Sequence, residues 1–418
     1  MVSHRVWSCV ALLVLGVGAS AARLETQEAA AAVGAPLPAW SRGVLDIHHI
    51  TTGRGNSTFI RFPHGATILI DAGDAGPVPG ADARPDDSRR AGEWIARYVR
   101  AMMADTQPAL DYALLTHFHP DHMGRVAPNL PRSPRGYVLS GITDVAEQIP
   151  IGRLIDRGSS PGDYLLPQRD PMFDNYREFV ATRPAGHAVE RAIVGSDSQI
   201  ADRAGAAGEL GANVRIVGAN DQVWTGHGDE VKTRFPPLES IAVAEDRPTE
   251  NMCSVALRIS YGAFSYFTGG DMPGYPVPGG PAWHDLETDV ARAIGPTDVH
   301  VVNHHGSIEV ENPVFLSTLR SRVMILPAWS PTHPSPDVLK RMLSTRVYPD
   351  PRDVFILQFR DATKAAIGPR ATQVASDHGH LVVRVEPSGR YWAIVLDDTS
   401  DTLRVRSVHG PYAADLKR

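Results

Sequence analysis

Apolar positions along the chain fall in short alternating runs that read as strands, interrupted by a few stretches of helical spacing. Val44–Ile50, Ser57–Phe62 and Ala66–Ile70 predict three successive strands, the last two joined by the turn Pro63-His64-Gly65. A Pro-, Asp- and Gly-rich loop runs to about Arg90, and Trp94, Tyr98, Val99 and Met102 then recur at helical spacing within Glu93–Ala104. Leu110–Leu115 is a short buried strand. The pattern loosens from Arg125 to about Asp246, where only a helix at Asp174–Thr182 and a strand at Asn213–Gly218 stand out, so residues 125–246 read as an insertion that shapes a pocket. Strands return at Cys253–Ser260, Phe264–Thr268, Asp298–Asn303 and Arg322–Leu326, and Val338, Leu339 and Met342 mark one face of a helix over Pro336–Leu343. Val354–Phe359, a hairpin of His380–Val385 with Tyr391–Leu396, and Leu403–Val408 make residues 346–418 a β-rich extension, expected to add strands to the second of two sheets. Two blocks of strands interleaved with helix predict two mixed sheets packed face to face with helices outside.

Residues 1–21 follow a different rule. A basic start (His4, Arg5), an apolar run from Val6 to Val17 and the small residues Ala19-Ser20-Ala21 form a secretory signal with cleavage near Ala21. A membrane anchor needs about 20 apolar residues, more than this run supplies. Residues 22–41, rich in Ala and Pro, read as a flexible leader, and the folded domain is expected over 42–345. Cleavage removes Arg5 and no acid, which takes the formal charge from -6 by one unit to -7. An acidic chain has no basis for tight, nonspecific nucleic-acid binding. Cys9 leaves with the signal, and Cys253 alone cannot form an internal disulfide. The expected product is a periplasmic or secreted protein without a membrane span.

The candidate chemistry lies in Thr116-His117-Phe118-His119-Pro120-Asp121-His122-Met123-Gly124, directly after the strand 110–115. Strand alternation lets His117 and His119 project to one side, with Asp121 and His122 in the turn beyond. Neutral imidazoles and a carboxylate so placed suit zinc, manganese or iron, and can divide between two adjacent cations.

These residues, taken with later motifs, resemble the metallo-β-lactamase fold superfamily and, more closely, its ComEC-like branch, tied to competence DNA uptake. The resemblance rests on Leu45-Asp46-Ile47 through Gly55-Asn56-Ser57 to Asp71-Ala72-Gly73, and on His117-x-His119-x-Asp121-His122. It also rests on Asn251-x-x-Ser254-Val255 leading to Thr268-Gly269-Gly270-Asp271, on His304-His305-Gly306-Ser307, and on Thr332-His333-Pro334. It implies an αββα four-layer sandwich over about 43–345 with two divalent ions, zinc foremost, at the mouth between the sheets. Carried over by position, His117 and His119 would hold metal one, Asp121 and His122 metal two, and Asp271 would bridge. His304 would close the second site, with His305 pointing the other way, and Asp71 would buttress the histidine loop. The superfamily's further histidine on metal one has no clear counterpart: His187 and His227 lie in loop-like sequence, and His333 is the remaining candidate. Metal one would then be incompletely furnished, and one of the two ions labile.

Such a centre would deliver metal-bound hydroxide to a phosphodiester, lactone, thioester or amide. The branch resemblance puts phosphodiesters first, nucleic acid or a small phosphoester. A lactonase or β-lactam-type amide hydrolase is the alternative, and would show a pocket lacking phosphate-directed cations. A third reading is a surface protein that keeps the metal for binding and has lost turnover. Asp121 would orient the attacking water, and His333, expected at the pocket rim, would stabilise developing charge or protonate a leaving group. Ser307 could donate to a phosphate or simply close a turn. Arg153, Arg157, Tyr164 and Tyr176 would contact an anionic substrate or stitch a loop, with Asp156-Arg157 read as a local ion pair or turn. His48-His49 and Cys253 read as structural.

Overall fold

A computed structural model describes residues 31–415 except 161–169, 185–186, 188 and 277. The proposed signal sequence, most of the leader and Tyr164 lie outside the described residues.

The predicted early strands form as β1 (Leu45–His49), β2 (Thr58–Arg61), β3 (Thr67–Ile70) and β4 (Leu110–Leu114). β5 (Ile151–Asp156) and β6 (Val189–Arg191) continue the same sheet. The second sheet takes β7 (Asn213–Ala219), β8 (Gln222–Trp224), β9 (Val231–Thr233), β10 (Ala256–Tyr261), β11 (Phe264–Thr268), β12 (Val299–Val301), β13 (Val323–Leu326) and β14 (Asp353–Ile356). β15 (His380–Val385), β16 (Arg390–Leu396) and β17 (Val405–Ala413) return to the first sheet, where β15 pairs antiparallel with β1.

Two expectations are corrected here. The stretch 125–246 is no simple insertion, because it supplies β5 and β6 to one sheet and β7 to β9 to the other. The C-terminal segment divides: β14 alone joins the second sheet, and three strands extend the first.

Alternation sorts each strand's side chains between two layers. Ile68 and Ile70 face the space between the sheets, with Leu257, Ile259, Tyr266 and Ile325 opposite, while Leu69 turns outward. The outward face of the first sheet is covered by α1 (Ala91–Met102), α3 (Ile142–Gln148) and α4 (Pro171–Ala181), through Ile95, Val99, Val145 and Phe179. The single turn α2 (Pro120–Met123) belongs to the candidate site. The second sheet is covered by α5 (Glu287–Ile294), α6 (Pro313–Leu319) and α7 (Pro336–Met342). The order of layers is α, β, β, α. Among the described residues no helix is long and apolar enough to cross a membrane.

The connections place the chemistry. β3, β4 and β5 are parallel neighbours, as are β11, β12 and β13. Loops leaving the carboxyl ends of β3, β4, β11, β12 and β13 begin at Asp71, Leu115, Gly269, Val302 and Pro327, and carry the candidate ligands.

Candidate metal centre

The histidine loop is fastened before any ion is considered. Asp71 Oδ1 accepts the Thr116 backbone N–H at 2.8 Å, and Oδ2 accepts the Thr116 hydroxyl at 2.9 Å. Pro120 opens the single turn α2, which stacks Asp121 and His122. Asn56 N–H donates to Asp121 O at 2.7 Å and Ala72 N–H to His122 O at 2.8 Å. Glycine is required at 73, where a Cβ would lie 1.9 Å from Asp121 O.

Four imidazoles have their Nδ1–H groups committed to oxygen. His122 donates to Asp71 Oδ2 (2.7 Å), His305 to Pro327 O (3.0 Å), His304 to the Glu309 carboxylate, and His117 to Thr116 Oγ1 (3.1 Å), whose hydrogen goes to Asp71. That fixes Nδ1 as the donor and makes Nε2 the atom each of the four would offer to an ion. All four aim at Asp271: His122 and His305 Nε2 lie 3.1 and 3.5 Å from Oδ1, His117 and His304 Nε2 3.6 and 3.7 Å from Oδ2. Asp121 Oδ2 is 3.0 Å from His305 Nε2.

Two sets of donor atoms result, each within 4.8 Å: Asp121, His122, Asp271 and His305 in one, His117, His119 and Asp271 in the other. Inside them His122 Nε2 faces His305 Nε2 at 3.2 Å, and His117 Nε2 faces His119 Nδ1 at 3.1 Å. Facing lone pairs repel unless a cation or proton sits between them. The donors therefore fit divalent ions of the zinc, manganese or iron type. Burial alone would hold the histidines neutral, yet the carboxylates of Asp271, Asp71 and Asp121 raise His122 well above its ordinary value. Against the same burial, Asp271 and Asp121 raise His305 to about 9. Burial would raise the Asp271 carboxyl, but the surrounding histidines pull it well below its ordinary value. The pocket thus favours positive charge between His122 and His305, whereas burial and the neighbouring His122 hold His117 well below its ordinary value.

The structure corrects the roles of the two adjacent histidines. His305, not His304, joins Asp121 and His122. Strand alternation fails because His304 (φ 40, ψ 46) and His305 (φ 52, ψ 19) are both left-handed, so neighbouring rings converge on one carboxylate. Each such residue costs about 1–2 kcal/mol. Ser307 closes the turn through its N–H to His304 O, 2.8 Å.

His333 is buried rather than at a rim. Its ring stacks on His305, with centroids 5.1 Å apart and planes at 17°, and burial lowers it to about 3. That keeps it neutral at physiological pH, a poor proton donor to a leaving group. His187 bonds Gly152 O at the start of β5, the far end of the sheet from His117, and His227 sits in the turn between β8 and β9. Neither joins the donor groups.

Asp156 closes a local turn by accepting the Gly158 N–H at 2.8 Å, and both residues also reach outward. Asp156 accepts the Tyr176 hydroxyl at 2.9 Å, and the fully buried Arg157 meets Glu250 at 2.5 Å. Glu250 Oε1 also accepts the Phe118 N–H at 2.9 Å, bracing the histidine loop from the second sheet's side. Arg153 ties β5 to β6 through Glu190 and to Gln199 O. His48 and His49 are buried in β1 against the hydroxyls of Tyr98 and Thr58, at 3.0 and 3.2 Å. Burial pushes the Cys253 thiol up to about 12, which makes it inert. Sequence reading missed Glu250 and Glu309; their only signal is an acid immediately beside Asn251 and another five residues after His304.

A cavity of about 500 Å³ opens beside His119 and Asn251. Its apolar wall is Met252, Pro273, Tyr275, Pro276, Pro278 and Ile308, and its carboxylates are Glu250 and Glu309. Another, of about 390 Å³ around Trp94, His380 and Leu403, contains none of these ligands.

Residues 50–128 match the family model of the metallo-beta-lactamase superfamily, a span that runs from the end of β1 through α2. Among curated proteins none matches. Among solved structures the chain is similar to a CmlA beta-hydroxylase E377D mutant, at 14% identity and TM-score 0.35, covering 82% of this chain and 54% of that one. The chain thus spans about half that protein's length. It is also similar to Zn(2+)-bound PqqB from Methylobacterium extorquens (13% identity, TM-score 0.35, 79% of this chain and 87% of that one). A protein of unknown function from Enterococcus faecalis V583 is a third (13%, TM-score 0.28, 78% and 67%). The family match over β2 to β4 and the turn α2, with the four-layer arrangement of two mixed sheets, identifies a metallo-β-lactamase fold.

Proposed function

We propose that the protein is a metal-dependent hydrolase of an uncharged acyl compound: a lactone, ester, thioester or amide. The observation that carries the hydrolase reading is the convergence of four imidazole Nε2 atoms on the two oxygens of Asp271. Two divalent ions, zinc foremost, would lower the pKa of water between them and polarise the attacked carbonyl. The residues themselves orient and exclude water. Asp71, Pro327 O and Glu309 hold the imidazoles, and Asp121, whose side chain is 15% exposed against 3% for Asp271, would orient the attacking water.

The substrate class is read from the cavity wall. The resemblance to the ComEC-like branch favours a phosphodiester, but a polyanion needs cations along its path. Among the described residues no Lys or Arg lines the cavity, whose charged groups are Glu250 and Glu309. The apolar side supports a small molecule with a hydrocarbon part. The signal-like residues 1–21 support action in the periplasm or outside the cell.

The test is a panel of a lactone, a thioester, an amide, a generic phosphodiester and single-stranded DNA, each with zinc- and manganese-loaded protein. Turnover on an acyl arm, lost in His117→Ala/His119→Ala, is expected. Cleavage confined to the phosphodiester arms overturns the substrate class. Full metal loading with no turnover on any arm overturns the hydrolase in favour of a metal-binding surface protein.

A further inference from the structure

The donor group of His117, His119 and Asp271 is one ligand short of the four-ligand set opposite it. We infer that His304, braced by Glu309, completes this first metal position, so that two adjacent histidines of one turn serve two different ions. The inference rests on the metal-dependent reading proposed above. The geometry divides at Asp271: Oδ1 faces His122 and His305, while Oδ2 faces His117 at 3.6 Å and His304 at 3.7 Å. A bridging carboxylate presents each oxygen to one ion, so a ligand gathered at Oδ2 belongs with His117.

Three further features agree. The His304 and His305 ring centroids are 6.1 Å apart with planes at 63°, an arrangement the left-handed backbone of both residues produces. Nδ1 of His304 is committed to Glu309, so only Nε2 is free to ligate, in the same pattern as Asp71 with His122. Asn251 lies against the same nitrogen, its NH2 3.3 Å from His304 Nε2, and its Oδ1 is buried without a hydrogen-bond partner among the described residues. A half-turn of that amide offers an oxygen to the same place. This position also borders the cavity, since His119, Asn251 and Glu309 line it, so the ion held there would meet the substrate first.

The test isolates each position and reads metal binding, not turnover. Asp121→Ala/His305→Ala leaves the first position, and His117→Ala/His119→Ala leaves the second. Cobalt(II) affinity is measured in both backgrounds by equilibrium dialysis. Adding His304→Ala should weaken binding about 100-fold or more in the first background and stay within about twofold in the second. Glu309→Gln, a milder change that keeps the ligand, should weaken the first position about tenfold and leave the second alone. The reverse pattern, equal loss in both, or no loss in either overturns the assignment while the hydrolase reading stands. Wild-type protein that binds no ion overturns both.

Discussion

Replacing Asp71 by Asn tests whether the tautomer of His122, rather than its mere presence, sets affinity at the second position. Asp71 Oδ1 accepts the Thr116 N–H at 2.8 Å, so the amide oxygen of Asn must stay there. Its NH2 then faces His122 Nδ1, now 2.7 Å from a carboxylate oxygen. Two donors cannot share that contact, and the imidazole must move its proton to Nε2, the atom 3.1 Å from Asp271 Oδ1. A lone pair meant for the ion is thereby covered. Loss of such a bracing partner costs about 10–100-fold in affinity, or about 1.4–2.8 kcal/mol. Backbone strain is not a confounder: Asp71 is left-handed at φ 59, a conformation Asn accepts. Competition with a chromophoric chelator should show the second ion weakened by that factor and the first, which Asp71 reaches only through the Thr116 hydroxyl, weakened by less. Unchanged affinity at both positions, or equal loss at both, would refute the tautomer argument.

Other perturbations probe the frame. Glu250→Ala leaves the fully buried Arg157 without its 2.5 Å partner and should cost about 3–5 kcal/mol in urea unfolding; a change under about 1 kcal/mol would contradict it. Gly73→Ala drives a methyl to 1.9 Å from Asp121 O and should displace Asp121, lowering second-ion affinity in dialysis while the first ion persists. Burial lowers His48 to about 4 and His49 and His380 to about 3, so the unfolded chain binds more protons than the folded one from about pH 4 to 6.5. Stability therefore rises with pH across that window and is lost as the pH drops through it, each group contributing up to about 1.4 kcal/mol per pH unit. His49→Gln should flatten the urea-unfolding profile by about one such slope, and an unaltered slope would count against it.

Strand periodicity made the fold legible wherever a strand carried its own pattern: β1 to β4 and β10 to β13 follow their apolar runs closely. It failed where pairing is decided at long range. β5 and β6 carry arginines, Arg153 and Arg191, and are strands because a parallel edge waits beside β4. The return of β15 to β1 depends on partners more than 300 residues apart, as in Asp46 with Arg384, linked by a 2.6 Å ion pair. His117, His119, Asp121 and His122 were legible because they are contiguous, and Asp271 because it ends a clear strand. The division between His304 and His305 was not, because two left-handed residues in succession break the alternation on which the sequence reading relied. Glu250 and Glu309 act through atoms of other residues, and spacing carries no trace of that.

The central claim is a pair of adjacent ions sharing Asp271, and the metal content of the loaded protein tests it most directly. After loading with zinc and exhaustive dialysis, elemental analysis should find two ions per wild-type chain, one per His117→Ala/His119→Ala chain, and none firmly held by Asp271→Ala. Wild-type chains with no stoichiometric ion, or a count that the loss of Asp271 leaves unchanged, would contradict it.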